Sequence, residues 1–308
     1  MLCYLGIDSD KCMSNKRDIK QAFILGAGLG TRLQPLTNAL PKPLIPFFHE
    51  PLIVHSIKKC QALGIKDIMI NTHYLPDLWQ QYFPDNAWED CKLSFRYEED
   101  LLDSGGGLKN IQDWVNPDSD LLVLNGDIVS NFPLKKLIDA HINQPNAEVT
   151  LALRNTEGKK NVGFDENTSL VTDMRHLLNR DPGSWQFASA YCAHSSFLDR
   201  IPTHQIVSVV PYFIELIKEN KLYGVNCNGG YWMDLGTQES YLAVHQLLKQ
   251  ENTLVHPCSL VHETAHITDT IVGNNAQIDH HCQLNNCIVW PNVSVPANTT
   301  AENEIFYR

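Results

Sequence analysis

Val272, Ile278 and Leu284 stand six residues apart, each followed by a small or polar residue (Gly273, Asp279, Asn285). Ala276, Cys282 and Ile288 recur at the same interval, four places behind. Val261 and Ile267 keep the spacing before a one-residue slip, and Val289 and Val295 keep it after another. Neither a helix nor a strand repeats with this period. It fits the hexapeptide repeat of a left-handed parallel β-helix, in which each short face turns one apolar residue inward. Residues 251–308 hold fewer than three coils on this count. The tail should therefore pack on the preceding domain or on another subunit.

From residue 19 to 250 the pattern changes. QAFIL, DIMIN, LSFRY, LLVLN and EVTLAL are short apolar runs of strand-favouring residues. Helix-like stretches lie between them, at Leu52 to Leu63, Leu108 to Trp114 and Leu134 to His141. Such alternation predicts an α/β, Rossmann-like, mostly parallel sheet with helices on both faces. Ligands bind such sheets at the carboxyl ends of the strands. Residues 1–18 read as an N-terminal tail, in which Met13 offers a second start.

The net charge of −11 argues against a nucleic-acid binder, which would carry excess Lys and Arg. No apolar run approaches the length of a membrane span. Nine cysteines without a CxxC pair, behind an N-terminus unlike a signal peptide, suggest reduced thiols in the cytoplasm.

The chemistry is concentrated in three blocks. Gly26-Ala27-Gly28-Leu29-Gly30-Thr31-Arg32-Leu33 follows the first strand, with Pro41-Lys42-Pro43-Leu44 just beyond. Clustered glycines let backbone N–H groups approach an anion. The spacing is not GxGxxG, and the GK[ST] of a Walker loop is missing. Arg32 and Lys42 add the positive charge that a triphosphate needs, and the flanking prolines restrict where Lys42 can go. In the second block, LLVLN ends in Asn125-Gly126-Asp127, which places a carboxylate at the ligand edge, where an oxygen ligand suits Mg²⁺. The third block is Gly229-Gly230-Tyr231-Trp232-Met233-Asp234-Leu235-Gly236-Thr237.

Together, GxGxGTRLxPLT, PKPL and GYWxDxGT resemble the signature of the sugar-1-phosphate nucleotidyltransferases, which include mannose-1-phosphate guanylyltransferases and muramate-phosphate uridylyltransferases. The resemblance implies a Mg²⁺-dependent enzyme that joins a nucleoside triphosphate to a sugar 1-phosphate and releases pyrophosphate. It implies catalytic roles for Arg32, Lys42, Asp127 and Asp234, with the two aspartates as metal ligands. Gly26, Ala27, Gly28, Gly30, Thr31, Arg32, Asn125 and Gly126 would bind the nucleotide. So would Ser104, Gly105 and Gly106, in a glycine-rich loop (Glu98 to Gly107) that closes on base and ribose. Gly163, Ser189 and Asp234 would face the sugar, and His73 would serve a structural role.

There are departures. The family's Glu-Lys-Pro element, which holds sugar and sugar phosphate, is replaced by VTDMRHLL, and Ser189 stands where glycine is usual. The hexapeptide tail and GYWMDLGT favour mannose 1-phosphate with GTP. SGGG and the missing Glu-Lys-Pro favour UTP with a muramate-type or other hexose 1-phosphate. A catalytically silent regulatory subunit is the reading from a different class. The tail offers no cluster of charge and glycine, so it is expected to serve docking or homo-oligomer assembly rather than chemistry.

Overall fold

The computed structural model describes residues 17–308, apart from 157, 159, 181, 182 and 253. Most of the expected N-terminal tail lies outside the described residues. Arg17 is already tied down: its guanidinium donates to Asp120 at 2.8 Å and to the carbonyls of Gln144 and Ala147 at 2.9 Å.

Four strands make the parallel centre: β1 (Ile19–Leu25), β2 (Asp67–Thr72), β3 (Cys91–Tyr97) and β4 (Asp120–Asn125). They lie side by side in the order β3-β2-β1-β4, every pair parallel. A short strand, β5 (Ile128–Ser130), follows β4 outside this sheet. Beyond β4 come β6 (Val149–Arg154), β7 (Gln186–His194) and β8 (Leu222–Asn226). β7 lies between β4 and β6 and is antiparallel to both. β6 therefore runs in the same direction as β4 and β1, and β8 pairs parallel with it. Antiparallel strands at the two margins (Ala87–Trp88, then Leu170–Met174 and Val162–Asp165) complete ten.

Helices α1 (Leu52–Ala62) and α3 (Leu134–Ile142) pack on one face of the sheet. α2 (Asp103–Lys109) and α4 (Val210–Lys218) pack on the other. Ala22, Ile24, Leu122 and Leu124 point to the first face, while Phe23, Leu121 and Val123 point to the second. Burial on both faces explains why these strands read as continuous apolar runs.

α2 is a correction to the sequence reading. It begins five residues before the expected Leu108 and takes in Gly105, Gly106 and Gly107. Glycine is a poor helix former. Here the helix presses against residues 205–208: a Cβ on Gly105 would lie 2.9 Å from the Ser208 carbonyl carbon, and one on Gly106 only 2.3 Å from the Gln205 oxygen. Tertiary packing that only glycine permits outweighs propensity.

The last helix, α5 (Gln238–Leu248), is capped by Thr237, whose hydroxyl accepts from the Ser240 N–H. The β-helix then begins. Each of its strands pairs with the one seventeen residues further on, as Val261 does with Ile278 and Ile278 with Val295. The slips in the six-residue spacing are therefore regular. Two sides of each coil advance six residues and the third five, from Ile267 to Val272 and from Leu284 to Val289. Val255, Val272, Val289 and Phe306 stack in one column, which makes three full coils rather than fewer. Asp269, Asn275, His281, Asn286, Asn292, Asn298 and Asn303 occupy the turns with φ between 49° and 63°. Asn and Asp tolerate this left-handed region better than other side chains.

The coil packs on the first domain, one of the two placements expected. Ile271, Val272 and Trp290 share a buried cluster with Leu33, Leu36, Ile45, Leu235, Tyr241 and Val244. The Trp290 indole donates to the Tyr241 hydroxyl at 3.2 Å, and that hydroxyl donates to the Pro46 carbonyl. Among the described residues, no helix is long and apolar enough to cross a membrane.

Candidate active site

β1 ends at Leu25, and the Gly26 N–H that follows donates to the Asn71 side chain at 2.7 Å. A Cβ on Gly26 would lie 2.9 Å from the Asn71 carbonyl oxygen, so only glycine lets the chain leave β1 this close to β2. The Asn71 amide donates to the Glu98 carboxylate at 2.8 Å, whose second oxygen accepts the Leu102 N–H at 3.1 Å. Burial pushes the Glu98 carboxyl above its usual range, against the lowering effect of these donors. This brace joins β1, β2 and the approach to α2. His73 bonds to the Glu98 carbonyl at 2.8 Å, the structural role expected of it.

Gly30 turns the loop back. At φ 63° it takes the left-handed conformation, and a Cβ there would lie 2.9 Å from the Lys42 Cβ. Its carbonyl accepts the Thr37 hydroxyl at 2.9 Å. Lys42 is thereby laid along the loop with only 6 % of its surface exposed. Its ammonium reaches Asp127 at 2.6 Å and Asp234 at 3.7 Å.

The two aspartates, far apart in sequence, meet through a ribbon. β9 (Trp232–Asp234) pairs antiparallel with β5, setting Asp234 opposite Ile128. The Leu235 N–H closes the ribbon onto the Asp127 carbonyl at 3.3 Å. Gly126 holds the turn, its N–H on the Leu25 carbonyl at 2.9 Å and its missing Cβ replaced by the Ile53 side chain. Arg32 comes in from the solvent side, 3.8 Å from Asp234. Its guanidinium lies over Gly236, where a Cβ would stand 2.7 Å from Nη1.

The donor set fits a hard divalent ion. Asp234 Oδ1 is buried and, among the described residues, has no hydrogen-bond partner. Beside Asp127 it presents the pair of carboxylates with which Mg²⁺ is commonly held, substrate phosphates and water completing the shell.

Above this cluster a cavity of about 430 Å³ opens at the carboxyl ends of β1, β2 and β4. Of the residues singled out in the sequence, Gly26, Ala27, Gly28, Lys42, Ser104, Asn125 and Asp127 line it. Pro43 beside Lys42 lines it too, as do Asn71, two residues before His73, and Glu98, Leu101 and Asp103 of the Glu98 to Gly107 stretch; Leu25 and Ile206 complete the lining and were not among the candidates. A Cβ on Gly28 would meet nothing within 4 Å, which leaves the loop's middle open to a ligand.

Other expected residues sit elsewhere. The N–H groups of Gly105 and Gly106 are taken by the Val207 carbonyl, at 2.9 and 3.0 Å, because this segment is a packed helix and not a loop free to close. Thr31 and Arg32 stand in the short turn after Gly30, outside the lining. Gly163 is on the marginal strand of the sheet, paired with Asp173. Ser189 lies in a bulge of β7 with φ 60°, next to Ala188, whose carbonyl accepts the Trp232 indole N–H at 2.9 Å.

A glycine loop, a buried lysine and two converging carboxylates at the C-terminal edge of such a sheet define a phosphate-handling α/β enzyme. Residues 21–170 match the nucleotidyl transferase family, and residues 246–303 match the GlmU-like C-terminal hexapeptide family. A mannose-1-phosphate guanylyltransferase of Mycobacterium tuberculosis is 30 % identical over 301 residues, covering 91 % of this chain and 82 % of that protein. A mannose-1-phosphate guanyltransferase of Candida albicans is 30 % identical over 84 % of this chain and 71 % of its own length. The structure of a putative glucose-1-phosphate thymidylyltransferase from Bacillus anthracis superposes with a TM-score of 0.66 at 19 % identity, covering 77 % of this chain and 97 % of that one. The chain belongs to the sugar-1-phosphate nucleotidyltransferases.

Proposed function

We propose that the protein is a mannose-1-phosphate guanylyltransferase, which makes a GDP-sugar and pyrophosphate from GTP and mannose 1-phosphate in the cytoplasm. The observation that carries the reaction is the Lys42, Asp127 and Asp234 cluster beneath the glycine-loop cavity. The preference for mannose and guanine is supported by the relatives that carry this name. In this reading residues 19–250 form the catalytic unit and 251–308 a docking tail, available for self-assembly.

The reaction is an in-line displacement. A phosphate oxygen of the sugar phosphate forms a bond to the α-phosphorus as the bond to the bridging oxygen of pyrophosphate breaks. The attacking phosphate is already anionic near neutral pH, so no general base is needed. The loop from Gly26 to Gly30 receives the nucleotide, with Asn125 and Ser104 also lining the cavity. Lys42, enclosed and directed by Gly30, presents its ammonium to the α-phosphate and the incoming phosphate together. Arg32, at the exposed rim, holds the β and γ phosphates. Asp127 and Asp234 would hold Mg²⁺, which when bound neutralises charge gathering at the α-phosphate.

The test is pyrophosphate release with purified protein against a matrix of four nucleoside triphosphates and several sugar 1-phosphates. Preference for GTP with mannose 1-phosphate supports the assignment. Preference for UTP with a muramate-type or another hexose phosphate replaces it within the same reaction. Silence across the matrix, with nucleotide still bound, favours a regulatory subunit.

A further inference from the structure

Arg154 is the last residue of β6, and only 6 % of its surface is exposed. Its guanidinium lies on the Trp232 ring, 5.5 Å from the centroid. Among the described residues no carboxylate forms an ion pair with it, and its buried Nε has no hydrogen-bond partner. Opposite it in register on β7, Gln186 carries a buried Oε1 that also lacks a donor. Among the described residues the site thus holds a desolvated cation without an anion and an acceptor without a donor. Stacking on an aromatic ring offsets only part of the cost of burying an unpaired charge.

Its place in the fold gives this meaning. β6 runs in the same direction as β1 and β4, so Arg154 stands at the same edge of the sheet as the cavity, beside it and outside its lining. β7 is the one strand between β6 and β4. Adjacent strands are roughly 5 Å apart, which puts β6 about 10 Å from β4, on the order of the length of a hexose phosphate. Ser189 lies on β7 between them, and Trp232 shares its strand with Asp234.

We propose that Arg154 is an anion receptor for the sugar half of the substrate, binding an oxyanion of the sugar phosphate while Gln186 accepts from a hydroxyl. The oxyanion is either the phosphate itself or a carboxylate carried on the sugar. The inference rests on the reaction proposed above. It assigns a cation to the half of the site where the family's Glu-Lys-Pro element is missing.

Arg154→Gln and Arg154→Met in the full chain test it. The KM for sugar phosphate should rise about tenfold or more, with the KM for the triphosphate within about twofold of wild type. The melting temperature without substrate should hold or rise, because the variants remove an unpaired buried charge. A loss seen with neutral hexose 1-phosphates and carboxylate-bearing ones alike identifies the phosphate as the ligand. A loss confined to the latter identifies the carboxylate. Thermal shift by sugar phosphates alone separates this inference from the catalytic reading: a shift in wild type that vanishes in Arg154→Gln supports it even if no pyrophosphate appears. Unchanged sugar-phosphate affinity in folded variants overturns it. So does an equal loss for the triphosphate, a fall in melting temperature with KM intact, or no thermal shift in wild type with any sugar phosphate.

Discussion

His245 sits inside α5 with none of its surface exposed. One ring nitrogen bonds to the Tyr241 carbonyl at 2.7 Å, and the other accepts the Phe48 N–H at 3.1 Å. That acceptor is the atom a second proton would need, so protonation turns two N–H groups on each other. Burial accordingly lowers its pKa from 6.5 to about 4. The unfolded chain takes up this proton as pH falls through 6.5, while the folded chain refuses it until about 4. Stability is therefore lost on acidification across that window, at about 1.4 kcal/mol for each pH unit below the unfolded pKa. Between pH 7 and pH 5 His245 alone should cost about 2 kcal/mol. His55, lowered to about 3, and His141 act with the same sign. The contribution is therefore isolated by difference. His245→Gln keeps an acceptor for Phe48 and should cost about 1 kcal/mol at pH 7. In urea unfolding at both pH values, the loss from pH 7 to 5 should be about 2 kcal/mol smaller in the variant than in wild type. Equal losses in the two proteins would refute the linkage.

Three further changes probe the site. Gly236→Ala puts a methyl group where the Arg32 guanidinium lies, and should raise the KM for triphosphate about tenfold in a normally folded protein, as steady-state kinetics would show. Lys42→Arg should leave kcat at least about a hundredfold down, because an enclosed ammonium and a planar guanidinium fill that space differently; wild-type turnover would reduce Lys42 to a source of positive field. Ser189→Gly relieves a left-handed backbone and should stabilise by about 0.5–1 kcal/mol in denaturant melts; a destabilised variant would show that the backbone there is not strained.

How much of this was legible in the sequence depended on the range of the interactions. β1, β2 and β4 were, because burial on both faces writes each as an unbroken apolar run. Lys42, Asp127 and Asp234 were too, because each sits in a short motif at the end of a strand or turn, and the fold brings all three together. The β-helix was visible as a period, but its seventeen-residue coil was not, since a single residue missing from one side looks like a break until the strands are stacked. The left-handed Asn and Asp residues at its corners carried that signal and went unread. α2 was misplaced because its glycines answer to residues 205–208, about a hundred positions away in the chain. The contact between Asn71 and Glu98, 27 positions apart, and the stacking of Arg154 on Trp232 leave no local pattern. A charged residue at a strand end reads as solvated until the sheet around it is known.

The central claim is that Asp127 and Asp234 form, with Lys42, the charge centre of a metal-dependent nucleotidyl transfer. Its most direct test is magnesium-dependent pyrophosphate release by Asp127→Asn and Asp234→Asn, each set beside wild type on the substrate pair that the screen selects. Both variants should fold, still bind triphosphate, and lose about 10²–10³-fold in turnover. Near-normal magnesium-dependent release by either folded variant would contradict it.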